Sequence, residues 1–574
     1  MKEIVTIQVG EFANYIGSHF WNFQDELLGL AENPLGDPLY RSPFLDMDVL
    51  YRSGETPQGI LTYCPRLISL GHEGSLGSLH STGLLSYGIT NPYSVEITTW
   101  NGNVARCTAE PHEKNLFLQS LIEQDNANLT TNDADQENSH KKHITDKDRV
   151  KCLENGVQYW TDFSKVQYHP RSLYELHGSW MDLEKYDDYG IGIDALSIGL
   201  HGEEMNERLR YFVEECDHIQ GMQFIVDDSG SFSAIAVAFL EGIADEYPNT
   251  SVLLYSTRKP GSYAYGKSQK ESVLRTLHDA ISFSMLSSYC KLMVPVGLPS
   301  LSRSKLSSTL NVDDNKLFHC SAVYAASIHS ASVPFRMEPQ GPTVESINFS
   351  GGMDINGMIQ LLAGQGRQNM INILDIAMPA PFLTDESNQS PILRSLCPLT
   401  PEIDENDDDL YSVETLMVNG VFSGVQRAFV PEVVSSVHSA YENEPKRPMF
   451  CHVSAACCPL PIPLPFPSIF NNRVGRQGEL SATSLGGEEQ RGSLEIDSIP
   501  MATRFRSSSA VKPLVERRLV NLRRFGLERG AAGAELLRRW GFGREEVEEM
   551  AEAMTKLVTK LDPVAYASSD SDSD

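Results

Sequence analysis

The chain has 574 residues, 41% of them hydrophobic and 21% charged, an ordinary globular composition long enough for several domains. Its 47 Lys plus Arg stand against 76 Asp plus Glu, a net charge of −29, which excludes general nucleic-acid binding because that needs concentrated positive charge. No apolar run reaches the roughly 18 residues of a membrane span, and prolines break the apolar stretch over 459–470, so no transmembrane segment is expected.

The N-terminus reads as a strand over 3–9 with Gly10 as the turn out of it. Phe12, Ile16, Phe20, Phe23 and Leu27 then fall on one helical face. Nothing at this end has the apolar core and cleavage site of a secretion signal. Leu67 to Leu70 is the next strand. Residues 123–148 turn to Asn, Asp, Gln, Lys and His with almost nothing apolar, and read as an exposed polar insertion. Leu209, Phe212, Val213, Cys216 and Ile219 form a helical face. A strand from Met222 to Val226, a helix over 231–246 and a strand over 251–256 follow. This β-α-β order requires a parallel sheet with right-handed crossovers. A helix runs over 269–285. Residues 401–410 and 475–499 look loose, and a last helix places Val547, Met550, Met554, Leu557, Val558 and Leu561 on one side before an acidic tail. The 10 cysteines include no Cys-x-x-Cys pair, which fits reduced, mostly buried thiols.

The opening Met1-Lys2-Glu3-Ile4-Val5-Thr6-Ile7-Gln8-Val9-Gly10-Glu11-Phe12-Ala13-Asn14-Tyr15-Ile16-Gly17 closely resembles that of tubulin. Tyr63-Cys64-Pro65-Arg66-Leu67-Ile68 is similar to the second tubulin strand, and Arg208 to Tyr247 resembles the tubulin helix, strand, phosphate loop and helix. His319-Cys320-Ser321-Ala322 and Val333-Pro334-Phe335-Arg336 continue the pattern. The combination resembles the Misato family, a tubulin-like group linked to mitochondrial distribution and inheritance. Its narrower match lies in Trp160-Thr161-Asp162-Phe163, His169-Pro170-Arg171-Ser172, Val213-Glu214-Glu215-Cys216-Asp217 and Pro467-Ser468-Ile469-Phe470.

The resemblance implies a nucleotide pocket at Gly10, Asn14, Gly17, Glu73, Asp227, Asp228, Ser229, Gly230 and Ser231. Tubulin-like GTPases cradle phosphates in a glycine-rich loop whose amides and helix N-terminus face the anion. Here that loop reads Asp227-Asp228-Ser229-Gly230-Ser231-Phe232-Ser233, with one glycine and two carboxylates facing the phosphate position. Like charges about 5 Å apart cost roughly 3 kcal/mol at an effective dielectric near 20. The pocket is therefore expected to be degenerate, with no cofactor; GTP is possible but not expected. A hydrolysis loop, whose acid would reach a neighbouring subunit's nucleotide, belongs before a helix over 351–362, where Asp354-Ile355-Asn356 stands.

A competing motif, Gly261-Ser262-Tyr263-Ala264-Tyr265-Gly266-Lys267-Ser268, fits the Gly-x-x-x-x-Gly-Lys-Ser pattern of a P-loop, with Asp375 as an acid for magnesium. Against it stand the Thr257-Arg258-Lys259-Pro260 spacer and two tyrosines in the loop. Arg504, Arg506, Lys512, Arg517, Arg518, Arg523, Arg524 and Arg529 make a basic stretch that either meets an anionic membrane or pairs with the protein's own acids. His169, His201 and His218 lack metal-ligand spacing.

The expected fold is α/β: a tubulin/FtsZ-like doubly wound parallel sheet with a second α/β region toward the C-terminus. The domains read as a tubulin-like N-terminal segment 1–122, a flexible insertion 123–148, a tubulin-like domain 149–340, a second α/β region 341–474, a loop 475–511, a helical segment 512–565 and an acidic tail 566–574. The resemblance implies a non-enzymatic role in mitochondrial distribution, morphology and inheritance. The implied address is the cytosolic face of the outer membrane and the cytoplasm. The implied partners are the mitochondrial outer surface, tubulin or its folding machinery, and a second copy of the chain. The alternatives are a self-assembling divergent GTPase and a P-loop ATPase using Lys267.

Overall fold

The computed structural model describes residues 2–41, 45–55, 61–79, 113–129, 144–176, 188–197, 200–262, 268–337, 349–364, 369–383, 391–405, 409–444, 447–481, 483–486 and 489–562. Six strands form the first sheet: β1 (Glu3–Val9), β2 (Leu67–His72), β3 (Leu173–Leu176), β4 (Ile219–Asp227), β5 (Val252–Thr257) and β6 (Leu292–Val296). Their order is β3-β2-β1-β4-β5-β6 and every pairing is parallel. This is the doubly wound arrangement, whose order reverses between β1 and β4. All seven residues of β1 are buried, as expected of a central parallel strand covered on both faces.

One face carries α1 (Glu11–Glu32) and α8 (Leu317–Ser332), with α2 (Leu116–Leu129) and α3 (Asp146–Gly156) packed beside α1. The other carries α4 (Tyr189–Ser197), α5 (His201–Glu214), α6 (Ser231–Glu246) and α7 (Gln269–Tyr289). Helix α6 ends where Tyr247 precedes a proline, which disfavours helical geometry before it. Helix α8 is buried from Phe318 to Ser332 between α1 and the second sheet, so small and apolar residues on all its sides are a packing requirement.

Helical structure enters both ends of the stretch read as a polar insertion. Helix α2 runs on to Leu129 and α3 starts at Asp146, with a Thr145–Asp148 capping box closing its N-terminus. Local capping needs no apolar surface, which is why composition missed it. Residues 130–143 lie outside the described residues, as do residues 563–574, which hold the acidic tail.

The second sheet is mixed, in the order β9-β8-β12-β10-β11-β7, where β7 is Phe349–Ser350, β8 Ile373–Ala377, β9 Cys397–Pro398, β10 Val413–Asn419, β11 Phe450–Ala456 and β12 Met501–Ser507. The second region is therefore not complete within 341–474. Strand β12, in the stretch expected to be loop, lies antiparallel between β8 and β10 near the sheet's centre. Its Arg504 and Arg506, read as either meeting an anionic membrane or pairing with the protein's own acids, pair with Asp375 and Glu414 on the neighbouring strands. Within residues 475–499, Ile496 and Ile499 are fully buried.

Helices α9 (Ile355–Gly364), α10 (Val430–Asn443), α11 (Lys512–Leu522), α12 (Ala534–Arg539) and α13 (Arg544–Lys560) complete the fold. Val547, Met550, Met554 and Leu561 of the last helix's apolar stripe pack into the core beneath α7 and α11. No described helix is long and apolar enough to cross a membrane.

Candidate functional site

Gly10 leaves β1 with φ +117, and α1 begins at Glu11. The first amides of a helix have no partner within it and carry partial positive charge, so they attract an anion. Here the anion is supplied by the chain. The Phe12 N–H donates to Asp227 Oδ2 at 2.9 Å and the Ala13 N–H to Oδ1 at 2.8 Å. Thr257 Oγ1 adds a hydroxyl at 3.3 Å. A Cβ on Gly10 would stand 2.4 Å from Asp227 Oδ2, so the glycine is required for this approach.

The two acids, expected to act together, divide. Asp228 Oδ1 pairs with Arg258 Nε at 2.7 Å, and Arg258 is only 5% exposed. The same guanidinium reaches Asp279 Oδ1 at 2.9 Å. Asp228 thus shares the Arg258 guanidinium with Asp279, while Asp227 occupies the helix N-terminus. Asp227 retains some accessible surface, but burial of its carboxyl pushes the pKa up to about 7, against the lowering by the Phe12 and Ala13 amides and by Lys259. Desolvation dominates because the charge is shielded by protein rather than water.

The loop that follows is fixed by packing. Gly230, at φ +78, precedes α6. Its carbonyl accepts from Ser233 Oγ at 2.9 Å and from His278 Nε2 at 2.9 Å. A carbonyl cannot donate, so His278 carries its proton on Nε2, and burial lowers its pKa. Helix α4 lies against the first turn of α6, where a Cβ on Gly192 would come 2.1 Å from the Ser231 carbonyl. Ser231 Oγ is buried without a hydrogen-bond partner among the described residues. Ser229 and Gly230 reach a cavity of about 960 Å³ bounded by α4, α7 and α11. Four of its guanidiniums are already paired: Arg258 with Asp279, Arg517 and Arg518 with Glu402, and Arg539 with Asp188.

Other expected pocket residues have structural partners. Asn14 Nδ2 donates to the Leu70 carbonyl at 3.0 Å and its Oδ1 accepts from Ser69 Oγ at 2.9 Å, tying α1 to β2. Gly17 gives Gln8 room: a Cβ there would meet the Gln8 amide at 2.0 Å. Glu73 is exposed beyond the end of β2. Asp354 Oδ1 accepts from the Gly357 N–H at 2.7 Å and its Oδ2 pairs with Lys2 at 2.5 Å, so this acid caps α9.

In the P-loop-like motif, residues 263–267, including Lys267, lie outside the described residues. Its terminal Ser268 caps α7: the hydroxyl accepts from the Glu271 N–H at 3.2 Å, and the Glu271 carboxylate returns to the Ser268 N–H at 3.3 Å. Asp375, the acid proposed for magnesium, is held by two arginines in the second sheet. Ser268→Ala should therefore cost about 1 kcal/mol of stability by loss of the cap. Lys267→Ala should change neither thermal stability nor nucleotide binding. Calorimetry of both variants with ATP tests this, and loss of binding in Lys267→Ala alone would restore the P-loop.

Beyond Arg504 and Arg506, Arg517 and Arg518 of the basic stretch pair with Glu402, and Lys512 with Glu516 and Asp562. His169 stacks on Tyr211, His201 Nδ1 lies 2.5 Å from the Tyr174 hydroxyl, and His218 is exposed. Among the described residues no cluster could hold a metal, and none of the nine described cysteines forms a disulfide. Arg258 and His278 were not anticipated, because nothing local distinguishes an arginine after a strand or a histidine within a helix.

The Misato Segment II tubulin-like domain matches residues 2–123, and the tubulin domain matches residues 150–337. Protein misato homolog 1 of Mus musculus is 30% identical over 393 residues, covering 66% of this chain and 68% of that protein. The Danio rerio protein of the same name is 28% identical over 548 residues, 89% of each chain. Protein DML1 of Gibberella zeae is 27% identical over 379 residues, 63% of this chain and 68% of its own length. The chain spans 60% to 68% of the mammalian relatives. A doubly wound parallel sheet, a glycine turn into α1, and these matches across both segments place the chain in the Misato family of tubulin-like proteins.

Proposed function

We propose that this protein is a non-enzymatic tubulin-like scaffold that serves the distribution, morphology and inheritance of mitochondria, acting at the cytosolic face of the outer membrane and in the cytoplasm. The observation that carries the non-enzymatic reading is the Asp227 carboxylate on the Phe12 and Ala13 amides. A phosphate could take those donors only by displacing a group covalently attached to the sheet. The mitochondrial part rests on the Misato resemblance. Tubulin or its folding machinery, and a second copy of the chain, are the partners this reading supplies.

Protein purified without added nucleotide should release no stoichiometric GTP on denaturation, read by chromatography. It should show no turnover above background at micromolar protein, with or without magnesium. One GTP per chain with concentration-dependent hydrolysis would instead establish the divergent GTPase. For the cellular role, depletion should fragment or misdistribute mitochondria, and the Asp227-intact chain should restore them. Normal mitochondrial morphology and segregation after complete depletion would sink that part of the reading.

A further inference from the structure

Around Tyr211 on α5, three arginines from separate elements converge. Arg52 comes from the Tyr51–Glu55 strand, Arg171 from the turn before β3 and Arg208 from α5 itself. The Arg171 guanidinium lies 4.3 Å from the Tyr211 ring centroid and that of Arg52 5.8 Å. His169 stacks on the same ring at 4.9 Å, with 16° between the planes. Arg208 lies 4.9 Å from the Tyr174 ring centroid and donates to the Pro170 and Leu173 carbonyls at 3.4 and 3.2 Å.

Two carboxylates face this group. Glu215 pairs with Arg52 at 2.8 Å, and Glu204 accepts from the Tyr174 hydroxyl at 2.8 Å. Arg171 is exposed, and among the described residues its guanidinium is held by the Tyr211 ring rather than by an acid. The His169 ring accepts the Arg171 N–H at 3.2 Å, which fixes the turn that presents this side chain. Stacked guanidiniums are already ordered, so an incoming anion bears less of the entropic cost of assembling its site. An outward excess of positive charge in a chain of net charge −29 is a local feature with no role in the core.

We propose that the Arg52–Arg171–Arg208 platform docks an acidic peptide segment, with Arg171 as its anchor and side-chain carboxylates or phosphates as the ligating groups. A guanidinium meets either group through two parallel hydrogen bonds. A peptide fits better than an anionic membrane because of reach. Charge is screened beyond about 8 Å at physiological salt, so a short peptide senses the platform, whereas a flat membrane meets the acidic surface around it.

The test is fluorescence anisotropy with two labelled short peptides, one of Asp and Glu and one bearing phosphoserine, plus phosphatidylserine vesicles as a separate arm. Saturable binding to at least one peptide is expected, weakening between about 50 and 200 mM salt. Arg171→Glu should weaken it at least about tenfold without changing the melting temperature, since the side chain is exposed. Arg171→Lys should restore part of the loss, and Arg529→Glu, an exposed charge on another surface, should change nothing. Tighter binding by one peptide identifies whether carboxylate or phosphate is the preferred group. Absence of saturable binding to both peptides, or equal binding by Arg171→Glu, would overturn the proposal. So would vesicle binding that exceeds peptide binding and is lost in Arg171→Glu.

Discussion

Asp375→Ala is expected to destabilise the fold by about 3–5 kcal/mol, the cost of breaking a buried ion pair and leaving its partners uncompensated. Asp375 is 1% exposed on β8, with Arg504 Nη2 at 2.7 Å and Arg506 Nε at 3.3 Å. Glu414 Oε2, at 3.2 Å from Arg504 Nη1, extends the network and accepts from the Tyr441 hydroxyl at 2.7 Å. Removing Asp375 leaves two guanidiniums on one face of β12, since residues two apart in a strand point the same way. Glu414 alone cannot neutralise both. Burial pushes the Asp375 carboxyl up, but the Arg506 and Arg504 charges outweigh it and hold its pKa below the ordinary value. Its stabilising contribution is therefore present above about pH 4 and lost as pH falls through the lower folded value. Urea unfolding at neutral pH measures the effect, and a loss below about 1 kcal/mol would show that solvent satisfies the arginines.

Asp227→Asn should change how stability depends on pH, with the opposite sign. The folded pKa of Asp227 is raised to about 7 from the ordinary 3.8, so the folded state binds a proton that the unfolded state has released. Stability from this group is complete below about pH 4 and declines as pH rises toward 7. A shift of this size corresponds to up to about 4 kcal/mol at about 1.4 kcal/mol per unit, reduced by whatever solvent reaches the carboxyl. Asparagine keeps one acceptor for the α1 amides and carries no charge. Relative to wild type, the variant should gain stability steadily between about pH 4 and 7 and level off above. Denaturant unfolding of both proteins across that range is the measurement. A constant difference would mean that Asp227 titrates as an ordinary aspartate, and that the helix N-terminus fully compensates its burial.

Much of the first sheet was legible in the sequence. The β-α-β order around Met222 to Ser256 and the helix beginning at Ser231 appear as read, because continuous apolar strands and 3.6-residue periodicity are local signals. The second sheet was not, because β12 carries Arg504 and Arg506 where a buried strand ordinarily carries apolar residues. Their partner Asp375 lies 129 and 131 positions away, beyond the reach of any periodicity.

The candidate site shows the same division. Sequence alone determined that the phosphate loop has lost glycines and gained two acids, that an apolar membrane span is missing, and that the chain resembles the Misato family. Only the tertiary structure decided what each acid does. Asp228 meets Arg258 across 30 positions, while Asp227 crosses 215 and 214 positions to reach the amides of Phe12 and Ala13. The convergence of Arg52, Arg171 and Arg208 on an aromatic platform was equally invisible. Composition records how many charges a chain carries, but their energies depend on separation and solvent access, and both are set only when distant segments pack.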